Sequence, residues 1–225
     1  MNLHYLWYVL PGILLGLYAQ IKLTSTYGRY GRVPIASGLS GAEAAREILD
    51  HAGLNNVPVE EIGGHLTDHY DPQKKALFLS SDNYRSRSIA AVGVSAHEAG
   101  HALQHKDAYA PLQFRMVLVP ITQFASWAWM GMFILGMVLG FAKLVTAAIV
   151  IFAILAFFQI ITLPVEFNAS SRAKVQLINL GIVQPQEGGG VSKVLSAAAM
   201  TYVAAMIVAV MEFLYWVSLA RDSRD

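Results

Sequence analysis

The residues best suited to chemistry lie in SAHEAGHALQH, from Ser95 to His105, where three histidines are spaced four residues apart. On a helix, His97 and His101 would lie on one face, one turn apart, so both imidazoles could reach one metal ion. Glu98 is poorly placed to ligate the same ion, but it can reach a water molecule beside it. This is the H-E-x-x-H arrangement, in which the glutamate is a general base. We therefore predict one zinc ion per chain, with Glu98 as the catalytic residue.

A third metal ligand must come from elsewhere in the chain. His105 lies eight residues from His97, about 12 Å along a continuous helix, so it is expected near the site or at the surface. Glu166, in TLPVEFNASSRA, follows a long apolar segment, where an acid is costly unless it is paired or binds a metal. We favour Glu166 as the ligand. The alternatives are an ion pair between Glu166 and Arg172, or a ligand from Glu60, Glu61 or Asp68.

The composition is that of a membrane protein. Of the 225 residues, 55% are hydrophobic and only 14% are charged, and the mean hydropathy is +0.46. This composition is too apolar and too weakly charged for an ordinary soluble domain. The net charge of +1, without a basic stripe, gives no indication of a nucleic-acid partner. Because the chain has no cysteine, disulfides, thiolate catalysis and cysteine zinc ligands are excluded.

Apolar segments long enough to cross a bilayer predict four transmembrane helices. They are an anchor at 1–22, a hairpin at 116–163 and a last helix at 194–219, followed by a short tail at 220–225. No Lys or Arg precedes the first segment and its cleavage site is poor, which favours an uncleaved anchor over a signal peptide.

Small residues inside these segments predict a turn and close helix packing. Lys143, near Gly140, is the only charge of the hairpin segment and places a tight turn there. The spacing of Gly12 and Gly16, and of Gly136 and Gly140, is typical of helix-packing faces. We expect them to pack helices within one protomer, with a homo-oligomer as the alternative.

Charge distribution predicts the orientation in the membrane. With four crossings, the polar segments 23–115 and 164–193 share one side. All 16 Lys and Arg residues lie in or beside these segments except Lys143, Arg221 and Arg224. The positive-inside rule therefore places both segments in the cytoplasm and both termini outside. We expect a multi-pass membrane protein whose site faces the cytoplasm.

The first polar segment has the pattern of a small α+β unit. Ser40 and Glu43 form a capping-box start for GAEAAREILDHAGL, and SIAAVGVSAHEAGHALQH is typical of one mostly buried helix. VPVEEI and KALFLS are typical of strands, and the turn-rich GGHLTDHYDP lies between them. KALFLS is either an edge strand that pairs with substrate or a core strand. In the turn-rich stretch, His65, Asp68 and His69 are expected to be structural rather than a second metal site.

Four sequence segments together resemble a known family. HEAGHALQH followed by LPVEFNASSRA, with SGLSGAEAAREIL and GHLTDHYDP upstream, resembles the YugP-type neutral zinc metallopeptidases of bacterial membranes over nearly the whole chain. It is more distantly similar to the gluzincin-type HtpX and CAAX membrane proteases. The resemblance implies zinc ligands at His97, His101 and Glu166, with Glu98 as base. It also implies that the protein lies in the bacterial inner membrane. Gluzincins commonly have an aspartate four residues after the glutamate ligand. Ser170 stands there in this chain and can still accept a hydrogen bond.

We therefore predict a mainly α membrane protein: four transmembrane helices and a small α+β cytoplasmic zinc-protease unit. Its predicted activity is that of a metalloendopeptidase acting on membrane proteins or juxtamembrane peptides near the cytoplasmic surface of the bilayer. Candidate donors to the oxyanion or to the ligands are Arg172, His105, Tyr109, Tyr202 and Ser170. One alternative is a zinc-stabilised membrane scaffold, which would need the ligands but not Glu98. Another is a small transporter, for which Glu212 is a weak signal.

Overall fold

Long helices make up most of the chain, and the computed structural model describes residues 3–222, with side chains for 5–220. In chain order the elements are α1 (Leu3–Tyr30), α2 (Gly41–His51), β1 (Val59–Ile62), β2 (His69–Asp71), β3 (Ala76–Ser80), α3 (Ser81–Arg85), α4 (Ile89–Lys106), α5 (Ala110–Val138), α6 (Ala142–Asn179) and α7 (Gly188–Asp222). Helices α1, α5, α6 and α7 are long and apolar enough to cross a membrane. The predicted fold class, a mainly α membrane protein with four such helices and a small α+β part, is confirmed.

The contacts divide the chain into two units. The first, here called the membrane unit, comprises Met1–Ala19, Ala110–Pro164 and Thr201–Asp225. The second, the site unit, comprises Gln20–Tyr109 and Val165–Met200. Helices α1, α6 and α7 each contribute residues to both units. All three also extend beyond the apolar segments seen in the sequence.

Within the membrane unit, two of the four glycines in the predicted packing faces allow close helix contact. A Cβ on Gly12 would lie 2.8 Å from Val208 Cγ2, and one on Gly136 would lie 2.8 Å from Val145 Cγ2. Gly140 has a φ of +65° in the turn between α5 and α6, which a glycine adopts without strain. The close packing predicted within one protomer is thus seen at Gly12 and Gly136, and Gly140 lies in a turn, as predicted.

The site unit has a core between α2 and α4. Ser40 and Glu43 form the predicted capping box at the start of α2: the Ser40 hydroxyl accepts from Glu43 N, and the Glu43 carboxylate accepts from Ser40 N. The apolar face of α2 is fully buried in the core. Its residues are Ala44, Ala45, Ile48 and Leu49. Helix α4 begins after the N-cap Ser88, and most of its residues are also buried, as predicted.

The three-stranded sheet has the order β1-β3-β2, with β1 parallel and β2 antiparallel to β3. All five residues of β3 are buried, so KALFLS supplies the central core strand and the edge-strand alternative is wrong. Assigning GGHLTDHYDP to a turn was also partly wrong, since β2 lies within it. This three-residue strand exists because His69, Tyr70 and Asp71 pair with β3, an interaction that local sequence pattern does not reveal.

Candidate metal centre

Two helices of the site unit bring the predicted ligands together. Helix α4 carries His97 and His101 one turn apart, and α6 carries Glu166. Glu166 Oε2 lies 3.1 Å from His97 Nε2 and 3.5 Å from His101 Nε2. The Glu166 side chain is only 2% exposed, and the three ligand atoms lie within 4.8 Å of one another. In the part of the chain that the structure describes, this is the one group of three or more His, Asp or Glu so arranged.

The donor set fits zinc. Ligands 2.0–2.1 Å from a tetrahedral zinc ion are separated from each other by about 3.3 Å, and the two distances to Glu166 Oε2 bracket that value. Two imidazole nitrogens and one carboxylate oxygen leave a fourth position open, as in catalytic zinc sites. A buried carboxylate is also costly without a nearby cation or hydrogen-bond donors.

The other acids considered as ligands have different partners. Glu61 accepts a bidentate hydrogen bond from Arg85, at 2.8–3.0 Å. Asp68 accepts hydrogen bonds from Ser80 and from Asn83 Nδ2, so it holds its loop against the end of β3. His65 and His69 bond to Asp82 and to the Thr67 carbonyl, respectively. These contacts give the turn-rich stretch a structural role.

Both histidines are oriented through their second ring nitrogen. His97 Nδ1 lies 3.1 Å from Ser170 Oγ, and His101 Nδ1 lies 3.0 Å from Gln104 Oε1. The Gln104 oxygen can only accept, so His101 Nδ1 carries the proton and its Nε2 presents a lone pair toward Glu166. We infer the same tautomer for His97, with Ser170 as acceptor. Such partners fix ring orientation and increase ligand basicity.

A buried polar network continues from His101. Gln104 is fully buried, and its Nε2 donates to Val165 O at 2.8 Å and to Asn168 Oδ1 at 3.0 Å. Asn168 Oδ1 also accepts from Arg172 Nε, and Arg172 forms an ion pair with Asp107. The network ties α4 to α6 on one side of the ligand group. Sequence reasoning missed Gln104 and Asn168, although Gln104 lies three residues after His101 on the same helix and Asn168 two residues after Glu166.

Glu98 is buried beside the ligands and receives a hydrogen bond from the sheet. Its Oε2 accepts from the Tyr70 backbone N–H of β2 at 3.1 Å. Burial raises the pKa of Glu98 to about 7, while the neighbouring His97 opposes that rise. A cation held by the ligands would oppose it further. Tyr70 was not singled out in the sequence, since its position depends on the pairing of β2.

The other residues predicted as donors to the oxyanion or to the ligands, His105, Tyr109 and Tyr202, differ in their contacts and position. His105 lies outside the ligand group, and its Nδ1 is 2.9 Å from Tyr70 Oη. Desolvation by burial lowers the pKa of His105. The Tyr109 ring lies 5.9 Å from the Arg172 guanidinium carbon. Tyr202 belongs to the membrane unit, so the site unit contains four of the five candidates.

Gly100, between the two histidines, sets the approach of α4 to α6. A Cβ at this position would lie 2.6 Å from the Ala169 carbonyl oxygen, a backbone atom that cannot move independently. We predict that Gly100→Ala destabilises the fold by about 1–3 kcal/mol, the usual cost of overpacking, and lowers zinc affinity. The measurements are chemical denaturation and zinc titration.

Gly93→Ala on the same helix is the matched control. Its Cβ would lie 3.6 Å from Val191 Cγ1, an ordinary contact. This variant should be neutral or more stable by up to about 1 kcal/mol, because alanine favours the helix. Equal stability of the two variants would contradict a tight contact at Gly100.

Ser170 provides a second prediction. Ser170→Ala removes the hydrogen-bond partner of His97 Nδ1 and should weaken zinc binding by about 10–100-fold, the usual effect of losing such a partner. Ser170→Asp places a stronger acceptor at the position where gluzincins commonly have one, and should bind zinc at least as tightly as the natural chain. Competition with a chelator of known affinity measures both. An unchanged affinity in Ser170→Ala would show that this contact does not orient the ring.

The geometry and the comparisons with known proteins agree on the class of protein. The chain belongs to the zinc peptidase family described as "Putative neutral zinc metallopeptidase", which it matches over residues 5–221. It is 48% identical over 211 residues to the "Putative membrane protease YugP" of Bacillus subtilis (strain 168), and the match covers 94% of each chain. No solved structure matches the chain. The family resemblance seen in the sequence is therefore confirmed, and the cofactor of this family is zinc.

Proposed function

We propose that this protein is a zinc metalloendopeptidase that cleaves membrane proteins or their juxtamembrane segments close to the cytoplasmic membrane surface. The observation that carries the proposal is the convergence of His97, His101 and Glu166 beside the buried carboxylate of Glu98. The direct test is hydrolysis of peptide bonds by the purified, zinc-loaded chain, with Glu98→Gln as the matched inactive variant.

The residues around the centre have separate chemical roles. His97, His101 and Glu166 would hold one zinc ion, a Lewis acid that acidifies water and polarises a scissile carbonyl. Glu98 accepts the proton of the attacking water and delivers it to the leaving amine. The Tyr70 N–H, which donates to Glu98, holds that carboxylate in position. Ser170 and Gln104 hold the two imidazoles with Nε2 directed toward Glu166.

The sheet edge at β2 is suited to bind an extended peptide. The strand order leaves β1 and β2 at the edges, and β2 is the edge whose Tyr70 bonds to Glu98. The Tyr70 N–H is already bonded to Glu98, so a substrate strand beside β2 would pair through the other outward main-chain groups of this edge, next to the proposed base. Pairing of this kind recognises backbone rather than side chains, so it favours unfolded segments over folded domains.

The position of the ligands along the chain supports a site near the bilayer. Glu166 lies three residues after the predicted hairpin segment 116–163, on the same continuous helix α6. Helix α4 ends at Lys106, and the apolar helix α5 begins at Ala110. A site tied so closely to two apolar helices favours substrates that are themselves held at the membrane.

Orientation is tested by reporter fusions. We predict that a reporter after Asp225 is extracytoplasmic and that one inserted near Gln73, in the turn between β2 and β3, is cytoplasmic. The basis is the concentration of Lys and Arg in the two polar segments. An alkaline-phosphatase reporter, active only outside, and a fluorescent reporter, active only inside, give opposite signals at each site. The reversed pattern would place the metal centre on the outer face.

A further inference from the structure

A basic groove lies in the site unit between α1 and α7. It has a volume of about 700 Å³, within the range of small-ligand sites. Three cationic side chains line it: Lys22 and Arg29 from α1, and Lys193 from α7. None of the described residues that line it is acidic. A concave surface with three positive charges and no lining carboxylate attracts an anion.

Hydroxyl groups add to this preference. Thr26 on α1, and Ser192 and Ser196 on α7, line the same groove and offer hydrogen bonds to oxygen atoms, whereas the Ser25 hydroxyl donates to the Lys22 carbonyl. Cations and hydroxyl donors together are the chemistry that binds a phosphate group.

Glycines at the start of α7 shape the groove. Gly190 packs against α1 so closely that a Cβ there would lie 2.9 Å from Tyr30 Cε1. Gly189 lines the groove, and a Cβ there would meet no atom within 4 Å. Gly190 thus fixes the spacing of the two helices, while the missing side chain at Gly189 keeps the space between them open.

The position of the cations in the sequence indicates where the phosphate comes from. Lys22 directly follows the apolar run of α1, and Lys193 directly precedes that of α7. Charged residues that flank an apolar span lie at the level of the lipid headgroups. Ile21, next to Lys22, is 68% exposed and offers an apolar surface to an acyl chain. A ligand with a phosphate and an apolar tail satisfies both features.

We propose that this groove binds the phosphate headgroup of an anionic phospholipid. The site is separate from the metal centre, and none of its lining residues belongs to the ligand group. Binding therefore does not depend on peptidase activity. Inorganic phosphate, or another soluble phosphate, shares the chemistry of the headgroup but lacks acyl chains. Comparing its binding with that of a phospholipid therefore shows which of the two the groove recognises.

The experiment measures lipid binding to the full chain in detergent by native mass spectrometry. The probes are dioctanoyl phosphatidylglycerol, dioctanoyl phosphatidylcholine and inorganic phosphate. Each basic side chain near an anionic headgroup contributes about fivefold in affinity, so Arg29→Gln/Lys193→Gln should bind phosphatidylglycerol about 25-fold more weakly. Gly189→Glu, which puts a carboxylate into the groove at a position where a Cβ meets no atom within 4 Å, should abolish the preference for phosphatidylglycerol over phosphatidylcholine.

The matched control is Lys74→Gln/Lys75→Gln, which removes two exposed cations from the turn between β2 and β3. It should bind phosphatidylglycerol as the natural chain does, and all variants should keep their zinc. Equal binding by the groove and control variants would overturn the site. Displacement of the lipid by inorganic phosphate at a comparable concentration would overturn the lipid as ligand. Both readouts are independent of hydrolysis, so the peptidase proposal can fail while this one stands.

Discussion

Glu98→Gln should reduce peptide hydrolysis by about 10²–10⁴-fold or more, the usual contribution of a positioned general base. Glutamine keeps the shape of the side chain and an oxygen that can accept from the Tyr70 N–H. It cannot take a proton from the attacking water. Zinc content should stay near one per chain and the fold should survive, since Glu98 is not among the three clustered ligands. The assay measures zinc, thermal stability and cleavage of casein and of membrane proteins on one preparation.

Two controls separate catalysis from structure. A chelator should abolish cleavage by the natural chain, and added zinc should restore it. Comparing membrane proteomes of cells that express the natural chain or Glu98→Gln should reveal substrates that accumulate in the variant. If Glu98→Gln cleaves as fast as the natural chain, the metal supports a scaffold and the peptidase proposal fails.

Glu166→Gln should lose most of the zinc, with a fall in affinity of more than about 100-fold. Losing only a hydrogen-bond partner of a ligand costs 10–100-fold, and an amide replaces the charged ligand itself here. The amide has nearly the same volume as the carboxylate, so the packing of this 2% exposed side chain is largely kept. Elemental analysis and a competition titration with a chelator measure the effect, and hydrolysis should fall in parallel.

His105→Ala is the matched control for the ligand assignment. His105 is the third histidine of the series, but its Nδ1 contacts Tyr70 Oη and it lies outside the ligand group. This variant should keep one zinc per chain. Zinc retained in Glu166→Gln but lost in His105→Ala would show that the third ligand is the histidine.

The transporter alternative depends on an ionisable group within the apolar helices. Its main signal was Glu212, an acid within the last apolar segment. In the membrane unit, Glu212 forms a hydrogen bond with Tyr5, so this acid has a local partner on α1.

Much of the local structure could be predicted because it depends on short-range pattern. The i,i+4 spacing of His97 and His101 places both on one face of any helix, and hydropathy identifies the four long apolar helices. The capping box of Ser40 and Glu43 marks the start of α2 through contacts three residues apart. The order of the strands and the existence of β2 could not be predicted, because they depend on pairing with β3.

The sequence by itself determined the chemistry available: two histidines and a glutamate on one helix, no cysteine, and an acid after an apolar run. Only the tertiary structure decided which groups meet. Glu166 reaches His97 because Gly100 lets α4 approach the Ala169 backbone of α6. Gln104 and Asn168 become partners through the same contact. Distances between residues more than 60 positions apart are set by helix packing, and packing depends on the whole core rather than on any local pattern.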